Sequence, residues 1–216
     1  MARPYNASLL TEVDMANDTR TRILETTGLL LRQRGYRGTS LNDILGASGA
    51  PRGSLYFHFP GGKDQLVIEV TRNSVADVTK RLGEALAAES DPAVAVHHIY
   101  QSVGRMLEDN DFSLGCPIAP VVLDSPTDVP ELAELCRSAF EQWIGLLRQA
   151  FVRAGVPERR AHALALLVES SLEGLMVIAR ATRDRGPVLV VADEVAALVE
   201  QAVLAGKVAR QADSAA

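Results

Sequence analysis

The amino-acid sequence predicts an all-α fold of about nine helices, a small three-helix unit followed by a larger helical body. Three observations lead there. Aromatic residues make up only 5% of a 216-residue chain otherwise rich in Ala, Leu and Val, a mixture that suits helix-on-helix packing better than a β-sandwich. Apolar residues recur at three- and four-residue spacing, and no stretch alternates polar and apolar for long. Breaks in that pattern fall at Asp91-Pro92, Gly115, Ser125-Pro126, Gly155 with Pro157, and Gly186-Pro187, where turn-forming residues interrupt helices.

A first helix is expected from Asp18 or Thr19, either of which can cap it, to about Gly35, with Ile23, Leu24, Thr27, Leu30 and Leu31 at helical spacing. Ser40 caps a short second helix over 41–47, where Leu41, Ile44 and Leu45 share a face. Gly49 ends it, since glycine tolerates a positive φ. Pro51 starts or directly precedes a third helix reaching about Phe59, and Pro60-Gly61-Gly62 stops it. A long helix then covers 63–88. The remaining periodic stretches are 92–109, 116–125, 129–154, 157–185 and 187–206. Residues 1–17 and 207–216 are expected as flexible tails, which places two domains at 18–62 and 63–206.

The formal net charge of −5 conceals an asymmetry. Residues 18–65 carry seven Lys/Arg against four Asp/Glu, whereas residues 66–216 carry 14 against 21. A basic module on an acidic body favours nucleic-acid contact through the N-terminal face alone. No apolar run approaches the ~18 residues of a membrane span, and the polar N-terminus has no apolar signal core. Cys116 and Cys136 form neither a disulfide framework nor a zinc-ligand spacing, so a cytoplasmic protein is expected. The four histidines, His58, His97, His98 and His162, contain no pair three or four apart. Neither a Glu-x-x-His pair, a P-loop, a G-x-S-x-G nor a dinucleotide fingerprint occurs. No enzyme, metal or cofactor is expected.

The informative stretch is SGAPRGSLYFHFPGGK, residues 48–63, which gathers Tyr56, Phe57, His58 and Phe59 onto one short helix. Two short helices joined by a glycine-containing turn form a helix-turn-helix unit. A helix that lies in a DNA major groove needs a small residue near its start, which Gly53 supplies, and a long donor for guanine O6/N7, which Arg52 supplies. Ser54 and Asn42 can hydrogen-bond bases or phosphates, and Phe57 can touch a thymine methyl. Leu55 and Phe59, four apart, face inward. Tyr56 and His58 flank the groove, and Thr39, Ser40 and Lys63 stand near helix N-termini where phosphates bind.

Residues 19–66 resemble the N-terminal domain of the TetR family of transcriptional repressors, through Thr39-Ser40, Ile44, Gly49, Gly53, Leu55-Tyr56, His58-Phe59, Lys63 and Leu66. The wording APRGSLYFHFPGGKDQL, followed by LGCPIAPVVLD, is similar to the LmrA/YxaF-like branch. One departure is Pro51, which stands where many relatives have a capping serine. The resemblance implies an N-terminal helix-turn-helix domain, a C-terminal helical ligand-binding and dimerisation domain, and a homodimer on a palindromic double-stranded DNA operator. It also implies that a small hydrophobic organic effector shifts the population away from the DNA-binding conformation. The dimer is expected to pair the last two helices through Leu167, Ser171, Gly174, Ile178, Val195, Val199 and Ala202. The ligand pocket is expected among Met106, Leu107, Phe112, Leu123, Phe140, Trp143, Ile144, Leu147, Ser170 and Met176. Glu169 and Glu173 can face either solvent or a ligand. An activating or architectural DNA binder with the same motif is the alternative expectation.

Overall fold

The computed structural model describes residues 7–124 and 129–214, with side chains placed for 18–124 and 129–212. Among the described residues the chain forms nine helices and no strand: α1 (Ala7–Arg34), α2 (Leu41–Ser48), α3 (Arg52–His58), α4 (Gly62–Ala88), α5 (Pro92–Asp109), α6 (Ala119–Asp124), α7 (Pro130–Arg153), α8 (Glu158–Thr182) and α9 (Gly186–Ser214).

The first three helices close around Ile23, Leu31, Ile44, Leu55 and Phe59, all fully buried, with Leu66 of α4 completing the cluster. Ser40 caps α2 in a reciprocal capping box: its hydroxyl accepts from the Asp43 amide at 3.1 Å, and the Asp43 carboxylate accepts from the Ser40 amide at 2.9 Å. Gly49 closes the helix at φ 64°, donating its amide to the Leu45 carbonyl. Pro51 sits at the N-cap of α3 with no side-chain cap. The first turn is closed by the Ser54 and Leu55 amides, both donating to the Pro51 carbonyl.

In the body, α5 packs on α9, α7 on α8, α4 on α7 and α8 on α9. Length and composition alone would let α8 cross a membrane, but its Leu164, Val168, Leu172, Leu175 and Ala179 are buried within the bundle. α4 belongs to both halves, since it packs on α1 at its start and on α5 and α7 further along.

Three helices differ in their bounds from the sequence expectation. α1 begins at Ala7, not at Asp18 or Thr19, because no helix breaker lies between them. Asp18 therefore pairs with Arg22 one turn on at 3.6 Å. α6 is shorter than 116–125, since Gly115 and Pro117 keep the preceding residues irregular. α9 continues to Ser214, well past Gly206, so residues 207–214 are helix rather than tail. A Cβ on Gly206 would lie 2.0 Å from the Gly155 carbonyl oxygen. That glycine marks where α9 passes the α7–α8 turn, and does not end the helix. The expected break at Ser125-Pro126, and the ends of both tails, lie outside the described residues.

Candidate DNA-binding surface and ligand cavity

The sequence of α3 sorts cleanly into an inner and an outer face. Leu55 and the adjoining Phe59 are fully buried, while Phe57 is 78% exposed and Tyr56 47% exposed. Aromatic surface of that size on a seven-residue helix is unusual unless it meets a partner. Arg52, Gly53 and Asn42 are exposed beside it. The Arg52 guanidinium donates through Nη2 to the Asn42 Oδ1 at 2.6 Å, tying the start of α3 to α2 and presenting both side chains together. At Gly53 a built Cβ would point into open space, with no atom from outside its own helical turn within 4 Å. No internal packing explains its small size. Ser54 and His58 are half-buried at the edges, and the His58 ring meets Phe57 edge-on at 5.0 Å.

Three of the expected DNA contacts are turned inward or engaged. Thr39 is fully buried, its hydroxyl donating to the Gly35 carbonyl at 2.8 Å; it closes the turn after α1 and presents no side chain to DNA. Lys63 directs its Nζ to the Tyr36 carbonyl at 2.6 Å and lies 4.1 Å from the centroid of the Tyr36 ring. Burial lowers its pKa. Ser40 is exposed, but its hydroxyl is the α2 cap.

A junction joins this unit to the body, and sequence reasoning missed it. Asp124, the last residue of α6, accepts through Oδ1 from the Tyr36 amide and through Oδ2 from the Arg37 amide, each at 2.9 Å. Its own carbonyl accepts from Arg37 Nε at 3.0 Å. Gly35 at φ 73° leaves room for that carboxylate, which a Cβ would meet at 2.5 Å. Nearby, Arg32 of α1 donates to the Gly115 carbonyl at 2.9 Å and approaches the Met106 sulfur at 3.4 Å. Burial lowers its pKa, although the guanidinium stays charged at neutral pH. Arg20 pairs with Glu69 of α4. Nothing in the spacing of Asp124 marks it, because its partners are main-chain amides 88 and 87 residues away.

Within the body lies a cavity of about 340 Å³, lined from α4, α5, α7 and α8. Of the expected pocket residues it gathers Met106, Trp143 and Met176. Leu107 and Leu147 are instead fully buried core. Phe112, Phe140 and Ile144 pack partly buried against that core, with Phe140 edge-on to Trp143 at 5.6 Å. Ser170 is on the exposed face of α8, and Leu123 is 84% exposed, lining a second cleft at the junction. The cavity adds Leu82, Val103, Leu172 and the polar Arg81, Ser102, Glu169 and Glu173. Desolvation, with the Glu173 charge in second place, pushes the Glu169 pKa up to about 7. Desolvation also raises Glu173, partly offset by a hydrogen bond from the Cys116 thiol. Burial, and then the Glu173 charge, pushes Cys116 well above the usual thiol range, so it is no ready nucleophile. Cys116, Glu173 and Met176 wall both this cavity and the junction cleft that holds Arg32 and Asp124.

On the outside, α8 exposes Leu167, Gly174, Val177 and Ile178, and α9 exposes Val190, Leu204 and Val208. Ser171 is half-buried because its hydroxyl meets Tyr100 at 2.6 Å. Val195, Val199 and Ala202 are buried inside the protomer and are not available to a partner; about 100° per residue places Val190, Leu204 and Val208 on the opposite side of α9. Among the described residues no group of three His, Cys, Asp or Glu side chains is placed to hold a metal.

Comparison with known proteins agrees with this geometry. Residues 23–70 match the family described as bacterial regulatory proteins, tetR family, and residues 92–194 match the C-terminal domain described as transcriptional regulator LmrA/YxaF-like. An uncharacterised HTH-type transcriptional regulator of Mycobacterium tuberculosis is 35% identical over 174 residues, 78% of this chain and 87% of its own length. The HTH-type transcriptional regulator LmrA of Bacillus subtilis is 29% identical over 172 residues, 80% of this chain and 92% of its own. The solved structure of a TetR transcriptional regulator from Chloroflexus aurantiacus superposes with a TM-score of 0.74 at 27% identity, covering 87% of this chain and 97% of that one.

Proposed function

The chain belongs to the TetR family of bacterial regulatory proteins and is a DNA-binding transcriptional regulator rather than an enzyme; from that premise we propose that it is a cytoplasmic, homodimeric repressor released from a palindromic operator by a small, mainly hydrophobic effector. The observation that carries this reading is the cavity of about 340 Å³ and its shared wall with the junction that holds the turn after α1. Its volume lies near the lower end of small-molecule pockets, which are mostly apolar with a few polar groups.

The outer face of α3 reads the major groove, with Arg52 and Asn42 donating to bases and Gly53 permitting close approach. Tyr56 and His58 reach phosphates and Phe57 a thymine methyl. The exposed apolar faces of α8 and α9 supply the dimer contact, which sets two copies of α3 about 34–36 Å apart. An effector that fills the cavity favours one position of α4 and of the segment 115–124. Both elements hold the helix-turn-helix unit, so its spacing changes with them. Only a differential affinity for the two conformations can do this.

The test is selection of operator duplexes from a random pool, followed by anisotropy titration at fixed salt while compounds are added. A palindromic site released by a compound that also alters Trp143 emission is the expected result. A site that no cavity-binding compound releases would point to a regulator without ligand release.

A further inference from the structure

Resting on the reading of the cavity as the effector site, we propose that its ligand is a lipophilic organic cation, with the positive charge at Glu169 and the apolar body against Trp143.

Most of the cavity wall is carbon, from Leu82, Val103, Met106, Leu172 and Met176 among others. Trp143 already donates its indole N–H to the Thr79 hydroxyl at 2.9 Å. With its one polar group already engaged, what it offers a ligand is apolar ring surface, which suits the ligand's apolar body. The charged groups around the cavity are unequally satisfied. Arg81 is paired with Asp77 at 2.7 Å on the exposed side of α4. Glu173 accepts from Cys116 and also borders the junction cleft, where Arg32 and Arg180 stand. Glu169 borders the main cavity alone, and among the described residues it has neither an ion pair nor a hydrogen-bond partner.

A half-buried carboxylate without a partner is costly, the more so with a second carboxylate one helical turn away. Of the ligand classes that fit a carbon-lined cavity, an anion would meet two carboxylates. A neutral hydrocarbon would desolvate Glu169 further and return nothing to it. A cation supplies the partner that the protein does not, and its apolar body is matched by the remaining wall.

The probes are three molecules on one skeleton: 4-phenylbutylammonium, 4-phenylbutan-1-ol and 4-phenylbutyrate. Trp143 is the one tryptophan of the chain, so its emission reports occupancy directly, and thermal shift gives a second readout. The wild-type protein should bind the ammonium at least about tenfold more tightly than the alcohol, and the butyrate more weakly still. In Glu169→Gln the ammonium and the alcohol should bind within about twofold of each other, with the alcohol affinity retained as proof of an intact cavity. Equal binding of alcohol and ammonium by the wild type, preferred binding of the butyrate, or an undiminished ammonium preference in Glu169→Gln overturns the cation assignment and leaves the cavity reading standing. If none of the three alters Trp143 emission while another compound both releases the operator and alters that emission, the cation inference fails and the cavity reading stands; release by a compound that leaves Trp143 emission unchanged places the effector site elsewhere.

Discussion

Glycine at position 53 separates a role in DNA reading from a role in folding, and Gly53→Ala tests the two at once. In the free protein a Cβ at this position meets no atom from outside its own helical turn within 4 Å, and the residue is helical within α3. Alanine therefore introduces neither a clash nor backbone strain, and it reduces the conformational freedom lost on folding. The expected gain is about 0.5 kcal/mol, the lower end of the range because the site lies in the first turn. For a chain of this size that raises the melting temperature by roughly 1–2 °C. On DNA the same methyl lies where the helix start approaches base edges, so it holds α3 away from the groove. Losing one well-placed base contact costs about 1–3 kcal/mol, or about 5–150-fold in operator affinity. Thermal melting and operator anisotropy at one salt concentration measure both. A variant that is more stable yet binds the operator unchanged would refute the close-approach argument. A variant that is less stable would refute the account of α3 packing.

Three further perturbations follow from the same geometry. Asp124→Ala removes the acceptor for the Tyr36 and Arg37 amides; a loss of about 1–2 kcal/mol is expected in chemical denaturation, with a weaker response of the operator complex to effector. Ile178→Asp places a charge in the exposed apolar face of α8, and sedimentation should show monomers with operator affinity lost, whereas an unchanged dimer would exclude that face. Glu169 titrates at about 7, above its ordinary 4.5, beside Glu173 and with Arg81 engaged by Asp77. The folded state then holds more protons than the unfolded one between those values. Stability is therefore greatest below about pH 4.5 as far as this group is concerned, and it falls as pH rises to about 7, by up to about 3 kcal/mol. Glu169→Gln should flatten that slope in melts across pH 4.5–8, and an unchanged slope would show that Glu169 is better solvated than its surroundings indicate.

The helix-turn-helix face was legible because it breaks local rules. An internal glycine and the run Tyr56-Phe57-His58 are poor choices for a short helix unless something outside the chain uses them. Periodicity also located the body helices, since their buried stripes repeat at helical spacing. It failed where one helix carries two apolar stripes. On α9, Val195, Val199 and Ala202 belong to the protomer core, while Val190, Leu204 and Val208 are exposed. Sequence alone shows both stripes and cannot say which one has an internal partner. Of the expected pocket residues Met106, Trp143 and Met176 do line the cavity, while Leu107 and Leu147 fall outside it for a related reason: they are as apolar as its wall but are buried in close packing.

The residues that join the two halves illustrate a deeper limit. Asp124 and Arg32 bind main-chain groups, at Tyr36, Arg37 and Gly115, and a main-chain amide or carbonyl leaves no mark in the sequence. Their function depends on where the fold brings the chain, not on the partner's identity. Asp124 holds the two residues that follow Gly35, and that turn in turn sets the angle between α1 and α2. Any effector that moves α6 must therefore either carry the helix-turn-helix unit with it or break hydrogen bonds to a carboxylate. The first course is less costly, which is why the coupling between cavity and DNA surface is expected to pass through Asp124 as well as through α4.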